Sequence, residues 1–249
     1  MTLMLVLGLC AQAAAQSSDT ANGLETIVAR MEAAQQDNRD RIRAYTVVRE
    51  YTLTSEKKPE APSQVTAEVN FVPPGTKAYE IRETNGRGHG EKVVRRVLQH
   101  EAEMAGQSDH SAVSPANYDF NLVGKETLEG RECYVLALRP KRESKDLLRG
   151  HAWVDAATYQ VRRIMGEPAK NPSWWVKKVT VELSFAEVGG MWMQTAAKAD
   201  ADVRFVGNHV LLSRDVDLRV ADQVAIAKPT KAGQRRGTVP ILGTIVGPR

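Results

Sequence analysis

The chain has 249 residues, 42% hydrophobic, 26% charged and 6% aromatic, with a formal net charge of +4 and two cysteines. That length suits one large domain with a sizeable apolar core, and so few cysteines exclude a disulfide-built fold or a cysteine-based zinc knuckle. The charge excess sits at the end, where Lys228, Lys231, Arg235, Arg236 and Arg249 occur without an acid; the rest is near neutral and carries no nucleic-acid footprint.

The opening MTLMLVLGLCAQAAAQ is apolar from Leu3 to Leu9 and then small through Ala13, Ala14 and Ala15. It reads as a secretory signal peptide over residues 1–15, cleaved near Ala15, because the apolar run is shorter than the roughly 20 residues a membrane span needs. Leu9 before Cys10 argues against lipidation of that cysteine. A periplasmic location follows as the expectation, with Cys133 the one thiol left after cleavage. The single domain is expected over 16–227 and a basic, flexible tail over 228–249.

An amphipathic helix is predicted from Asn22 to Ile42, capped by Asn22 with Glu25 answering, and with Leu24, Ile27, Val28, Met31 and Ile42 on its apolar stripe. From Tyr45 the period changes to two: Val47, Tyr51 and Leu53 alternate with Val48, Glu50 and Thr52. Val65, Ala67, Val69 and Phe71 make one face of the next strand. Pro73, Pro74 and Gly75 turn the chain into a strand carrying Tyr79 and Ile81. A second helix is predicted from about Gly90 to Met104, with Val93, Val94, Val97 and Leu98 as its apolar stripe. After a polar loop, strands follow at Tyr118–Val123, Lys125–Leu128, Cys133–Leu138, His151–Asp155, Tyr159–Met165, Trp174–Val188, Met191–Phe205 and His209–Val220, with Gly189-Gly190 and Gly207-Asn208 as turns.

Trp175, Val179, Val181, Leu183 and Phe185 fall on one strand face against Lys178, Thr180, Glu182 and Ser184; Val203, Phe205, Val210, Leu212, Val216 and Leu218 are read as a second apolar series. A large sheet with one apolar face must curl or be covered, and two helices are available. The expected fold is therefore α+β and mainly β: a half-open, curved antiparallel sheet, an incomplete barrel, with helices over its concave face.

Catalytic patterns are missing. No GxSxG, Walker or GxGxxG sequence occurs. Ser55 to Lys58 matches SxxK only within a charged turn, and His100-Glu101 lacks the second histidine of HExxH because Met104 stands there. Cys133, in the apolar run CYVLAL, reads as a buried core residue. No enzyme, metal site or cofactor is expected.

The stretch from Tyr118 to Val220, with YDFNLVGKETLEGRECYVLALRPK, RGHAWVDAATYQVRRIMGEPAKNPSWWVKKV and the closing LLSRDVDLRV, resembles the outer-membrane lipoprotein-sorting proteins, relatives of the periplasmic lipoprotein carrier. The resemblance implies an incomplete barrel lined by apolar side chains and lidded by helices, and a lipid or lipoprotein acyl chain as ligand. On the alternation above, Phe71, Trp175, Val179, Val181, Leu183, Phe205 and Leu212 are the candidate lining, with Val93, Val94, Val97 and Leu98 as a lid. Transient membrane-protein donors and acceptors would be its partners. The alternative is an envelope sensor of the same fold that binds lipid or protein and signals to a partner.

Overall fold

Antiparallel strands joined by tight turns need little chain between them, and here they build one continuous sheet. A computed structural model of the chain describes residues 10–86 and 89–221. The start of the expected signal peptide and the whole basic tail lie outside the described residues. Helix α1 (Cys10–Arg41) precedes β1 (Tyr45–Ser55), β2 (Lys58–Val72) and β3 (Thr76–Asn85). Helix α2 (His89–Met104) then leads through a loop to β4 (Tyr118–Leu128), β5 (Arg131–Pro140), β6 (Leu148–Asp155), β7 (Val161–Pro168), β8 (Val176–Val188), β9 (Met191–Val203) and β10 (Gly207–Val220). The strand order is β3-β2-β1-β10-β9-β8-β7-β6-β5-β4.

This order has a mechanical consequence. Strands β3 and β4 are the two sheet edges, and α2 lies on the connection between them. The chain winds outward from β1, crosses from edge to edge by way of α2, and winds back until β10 pairs with β1. The sheet is curved and half open, with its edges unpaired, as the alternation predicts. Turns obey their chemistry: Gly189 and Gly190 take φ +61° and +79° between β8 and β9, which side chains resist and glycine does not.

Register places one face of every strand on the same side as the helices. Val47 on β1 lies opposite Val69 on β2 and Leu218 on β10. Ala197, Ala199 and Ala201 on β9 lie opposite Leu183, Val181 and Val179 on β8. Further along, Ile164, Ala152, Leu136 and Leu122 align across β7 to β4. Helix α1 buries Ile27 and Met31 against Leu136, Val154 and Ile164. Helix α2 buries Val94 and Leu98 against Val47, Tyr51, Val65 and Val69. The inner face thus has two separate cores, one under each helix.

Three expectations are corrected here. Helix α1 runs unbroken through Asn22 instead of starting there. Strand β9 ends at Val203, and Phe205 sits in the following turn at φ +69°. Phase along β10 shifts because Val216 is an extra residue between Asp217, opposite Val48, and Asp215, opposite Arg49. Leu211, Ser213 and Asp215 therefore face inward, and Leu212 faces outward.

On the outer face, Cys133 forms a small buried cluster with Val135 and Trp153. Cys133 is 0% exposed, and burial, aided by the nearby Asp155 carboxylate, pushes its thiol above the ordinary cysteine range. Only a thiolate reacts readily with alkylating agents. Iodoacetamide should therefore leave Cys133 unmodified in the folded protein and label it fully in 6 M guanidinium, as read by peptide mass spectrometry; rapid native labelling would contradict its burial.

Candidate functional site

Inward positions of β1 read Val47, Arg49, Tyr51, and the middle one is a charge. Arg49 is 6% exposed. Its Nε and one terminal nitrogen donate to the Asp215 carboxylate of β10, the latter at 3.4 Å, and its other terminal nitrogen donates to Glu101 of α2 at 3.1 and 3.2 Å. Lys77 of β3 donates to the same Glu101 at 3.2 Å. Burial works against the Arg49 charge, but Glu101 and Asp215 more than offset it and hold the guanidinium protonated. Burial also pushes the neighbouring Tyr51 hydroxyl up to about 12, so it stays neutral.

This network pins α2 over β1–β3, and His100 of the same helix reaches Asp146 in the β5–β6 loop at 2.7 Å. The two residues that begin an HExxH pattern thus make structural contacts. Helix α1 is fastened at its other end: the Asn38 amide donates to the Trp192 carbonyl and accepts from the Trp192 N–H, both at 2.7 Å. Gln35 donates to the Val113 carbonyl at 3.0 Å.

Between the two cores lies β9. Helix α1 touches chiefly β4 and β9, and α2 touches β1, β2 and β3. The inward residues of β9 are Ala197, Ala199 and Ala201, all half-buried. Val181 and Leu183 of β8 flank them on one side and Leu211 of β10 on the other, also half-buried. Val181 and Leu183 pack against the α1 core and Leu211 against the α2 core, so the three alanines form the low line of an apolar strip between them, a shallow furrow with an alanine floor.

The expected lining residues divide on this frame. Val179, Val181 and Leu183 share the inner face, with Val179 buried. Phe71 is also inward, but on β2, stacked on Tyr45 with ring centres 5.2 Å apart. Trp175 precedes β8, Phe205 is in a turn, and Leu212 is on the outer face. There Leu212 lines an open cavity of about 400 Å³ with Glu50, Glu182, Lys198 and Arg214. Trp175 loses the phase of its strand because Lys177 is an extra residue, which lets both Val176 and Val179 point inward while Lys177 and Lys178 stay out. The lid stripe does not reach this group: α2 sits over β1–β3, and β10 and β9 separate β1 from β8. The Arg49 cluster escaped sequence reasoning, although a charge at an inward strand position was its signal.

No family model and no curated protein sequence matches the chain. Solved structures do. A LolA superfamily protein from Nitrosomonas europaea aligns with 80% of this chain and 94% of its own, at 12% identity and TM-score 0.43. A putative outer membrane lipoprotein-sorting protein domain from Vibrio parahaemolyticus aligns over 78% and 93%, at 13% identity and TM-score 0.42. A DUF1329 family protein from Desulfovibrio piger aligns over 80% and 95%, at 14% identity and TM-score 0.41. Two of these carry the description that the sequence resemblance led us to expect; no residue role is carried over from them.

Removing one partner of a buried ion network leaves the others uncompensated, at a cost of about 3–5 kcal/mol. Arg49→Met should therefore lower unfolding stability by about that amount. Urea denaturation checks it, and a combined Arg49→Met, Glu101→Leu, Asp215→Leu chain should regain most of the loss.

Proposed function

We propose that this protein binds the acyl chain of a lipid or lipoprotein in the furrow between its two cores, and that it acts by holding the ligand rather than by chemistry on it. The alanine floor carries this reading. The inward alanines elsewhere, Ala67 on β2 and Ala152 on β6, are fully buried within the two cores. Along β9 three successive inward positions hold a methyl group each, and neither helix packs a core over them. A strand advances about 3.3 Å per residue, so the floor is long enough for a run of methylenes.

Val181 and Leu183 form one wall and Leu211 the other. Helix α2 stands over β1–β3, with Val94 and Leu98 committed to the core beneath it, so the furrow lies beyond its reach. Burial yields about 0.8 kcal/mol per methylene, and a bilayer offers the same driving force. A furrow open along one side contacts the chain on part of its circumference, which keeps affinity low enough for release. Such a binder belongs in the periplasm, passing its ligand between membrane proteins.

Titration with a fluorescent fatty-acyl probe tests this. Saturable binding is expected for the wild type, weakened at least about tenfold, or 1.4 kcal/mol, by Leu183→Glu and by Ala199→Trp, which fills the floor. Glu182→Ala, on the other face, should stay within about twofold. Absence of saturable binding by folded wild-type protein would remove the reading.

A further inference from the structure

We propose that one end of the sheet is a membrane-docking tip, built to seat on an anionic lipid surface. Phe205 is 91% exposed and Trp174 is 78% exposed, with Val206 and Trp175 beside them also exposed. They come from two chain segments that the fold brings together: the Arg204 N–H donates to the Trp175 carbonyl at 2.8 Å, and Val176 pairs with Val203. The result is an aromatic cluster projecting past the last paired residues of β8 and β9.

An exposed aromatic pair at a turn loses hydration energy that a polar turn would keep, and Phe205 is also held at φ +69°, where a bulky side chain is strained. Neither core uses these residues. Trp and Phe settle at the boundary between headgroups and hydrocarbon, where the ring is buried and the backbone stays wet.

Charge identifies the partner. The β1–β2 turn ends at the same edge, since the Glu56 N–H donates to the Asn208 carbonyl at 3.0 Å and Lys57 lies against Gly207. Lys57, Lys58 and Arg204, on the turns that meet here, are exposed and have no ion-pair partner among the described residues. The acids close by are Glu56, Glu60, Glu167 and Asp202; Glu167 and Asp202 already pair with Lys178 and Lys177 at 2.9 and 3.4 Å. A basic rim around an apolar centre complements anionic headgroups over hydrocarbon. The tip is independent of the furrow: it docks the protein whether or not an acyl chain is held.

The test is sedimentation of the full chain with vesicles of phosphatidylglycerol and phosphatidylethanolamine, and with vesicles of phosphatidylcholine alone. The wild type should bind the anionic vesicles and bind phosphatidylcholine weakly. Trp174→Ser with Phe205→Asn, the asparagine tolerating the left-handed turn, should raise the lipid concentration for half-binding at least about tenfold. Lys57→Glu with Arg204→Glu should do the same on anionic vesicles only. Both chains should keep the wild-type circular dichroism and melting curve. Equal binding by wild type and the aromatic variant would move the contact elsewhere and overturn the proposal. Binding to neither vesicle would overturn it too, and would assign the tip to a protein partner.

Discussion

One constraint governs this molecule: a ten-stranded sheet presents a broad, largely apolar face, and two helices must cover it. A helix is about 10 Å wide with its side chains, and strands are spaced about 4.8 Å apart. Each helix therefore roofs a few strands, and two cannot roof ten. Curvature reduces the exposed width without removing it. The outcome is two cores, each closed under its own helix, with β9 on the line between them.

The edge-to-edge path of the chain decides where the roof sits. Because α2 leaves β3 and must reach β4 at the opposite edge, it passes over the inner face, and Glu101 near its end meets Arg49 and Lys77. Burying a guanidinium in a sheet core is expensive unless every donor finds an acceptor. Asp215 and Glu101 supply acceptors from two different elements, one on the sheet and one on the helix. The network thus specifies the position of α2 more than it adds stability. Alanine at positions 197, 199 and 201 is the counterpart choice: between the two buried clusters, small side chains minimise the apolar surface left to water.

Most of the architecture was legible from local chemistry. Two-residue alternation located the strands, although it divided β4 in two at Gly124; the glycine pair located the tight turn before β9, and the stripe from Val93 to Leu98 located α2 nearly to its ends. The site was less legible, for a physical reason. An extra residue in a strand reverses which side chains face inward beyond it, and nothing in the alternation announces it. Val216 does this on β10, Lys177 on β8 and Thr195 on β9. Leu212 and Trp175 were misassigned by such shifts, whereas Val179, Val181 and Leu183 lie within an uninterrupted stretch and share a face as expected. Phe205 failed differently: alternation carried it past the end of β9 into a turn. Arg49 was passed over because a charge at an inward position contradicts the pattern, and contradictions of that kind mark places where the fold invests in a specific contact.

The central claim is that the furrow floored by β9, and not the polar-walled cavity behind it, takes an acyl chain. Photocrosslinking with a diazirine-bearing fatty acid, followed by peptide mapping, reads this directly. The account predicts adducts on the inward residues of β8 to β10, among them Leu183, Ala199 and Leu211, and their loss when Ala199 is replaced by Trp. Adducts confined to the outer face around Leu212 and Glu182, unchanged by that replacement, would contradict it.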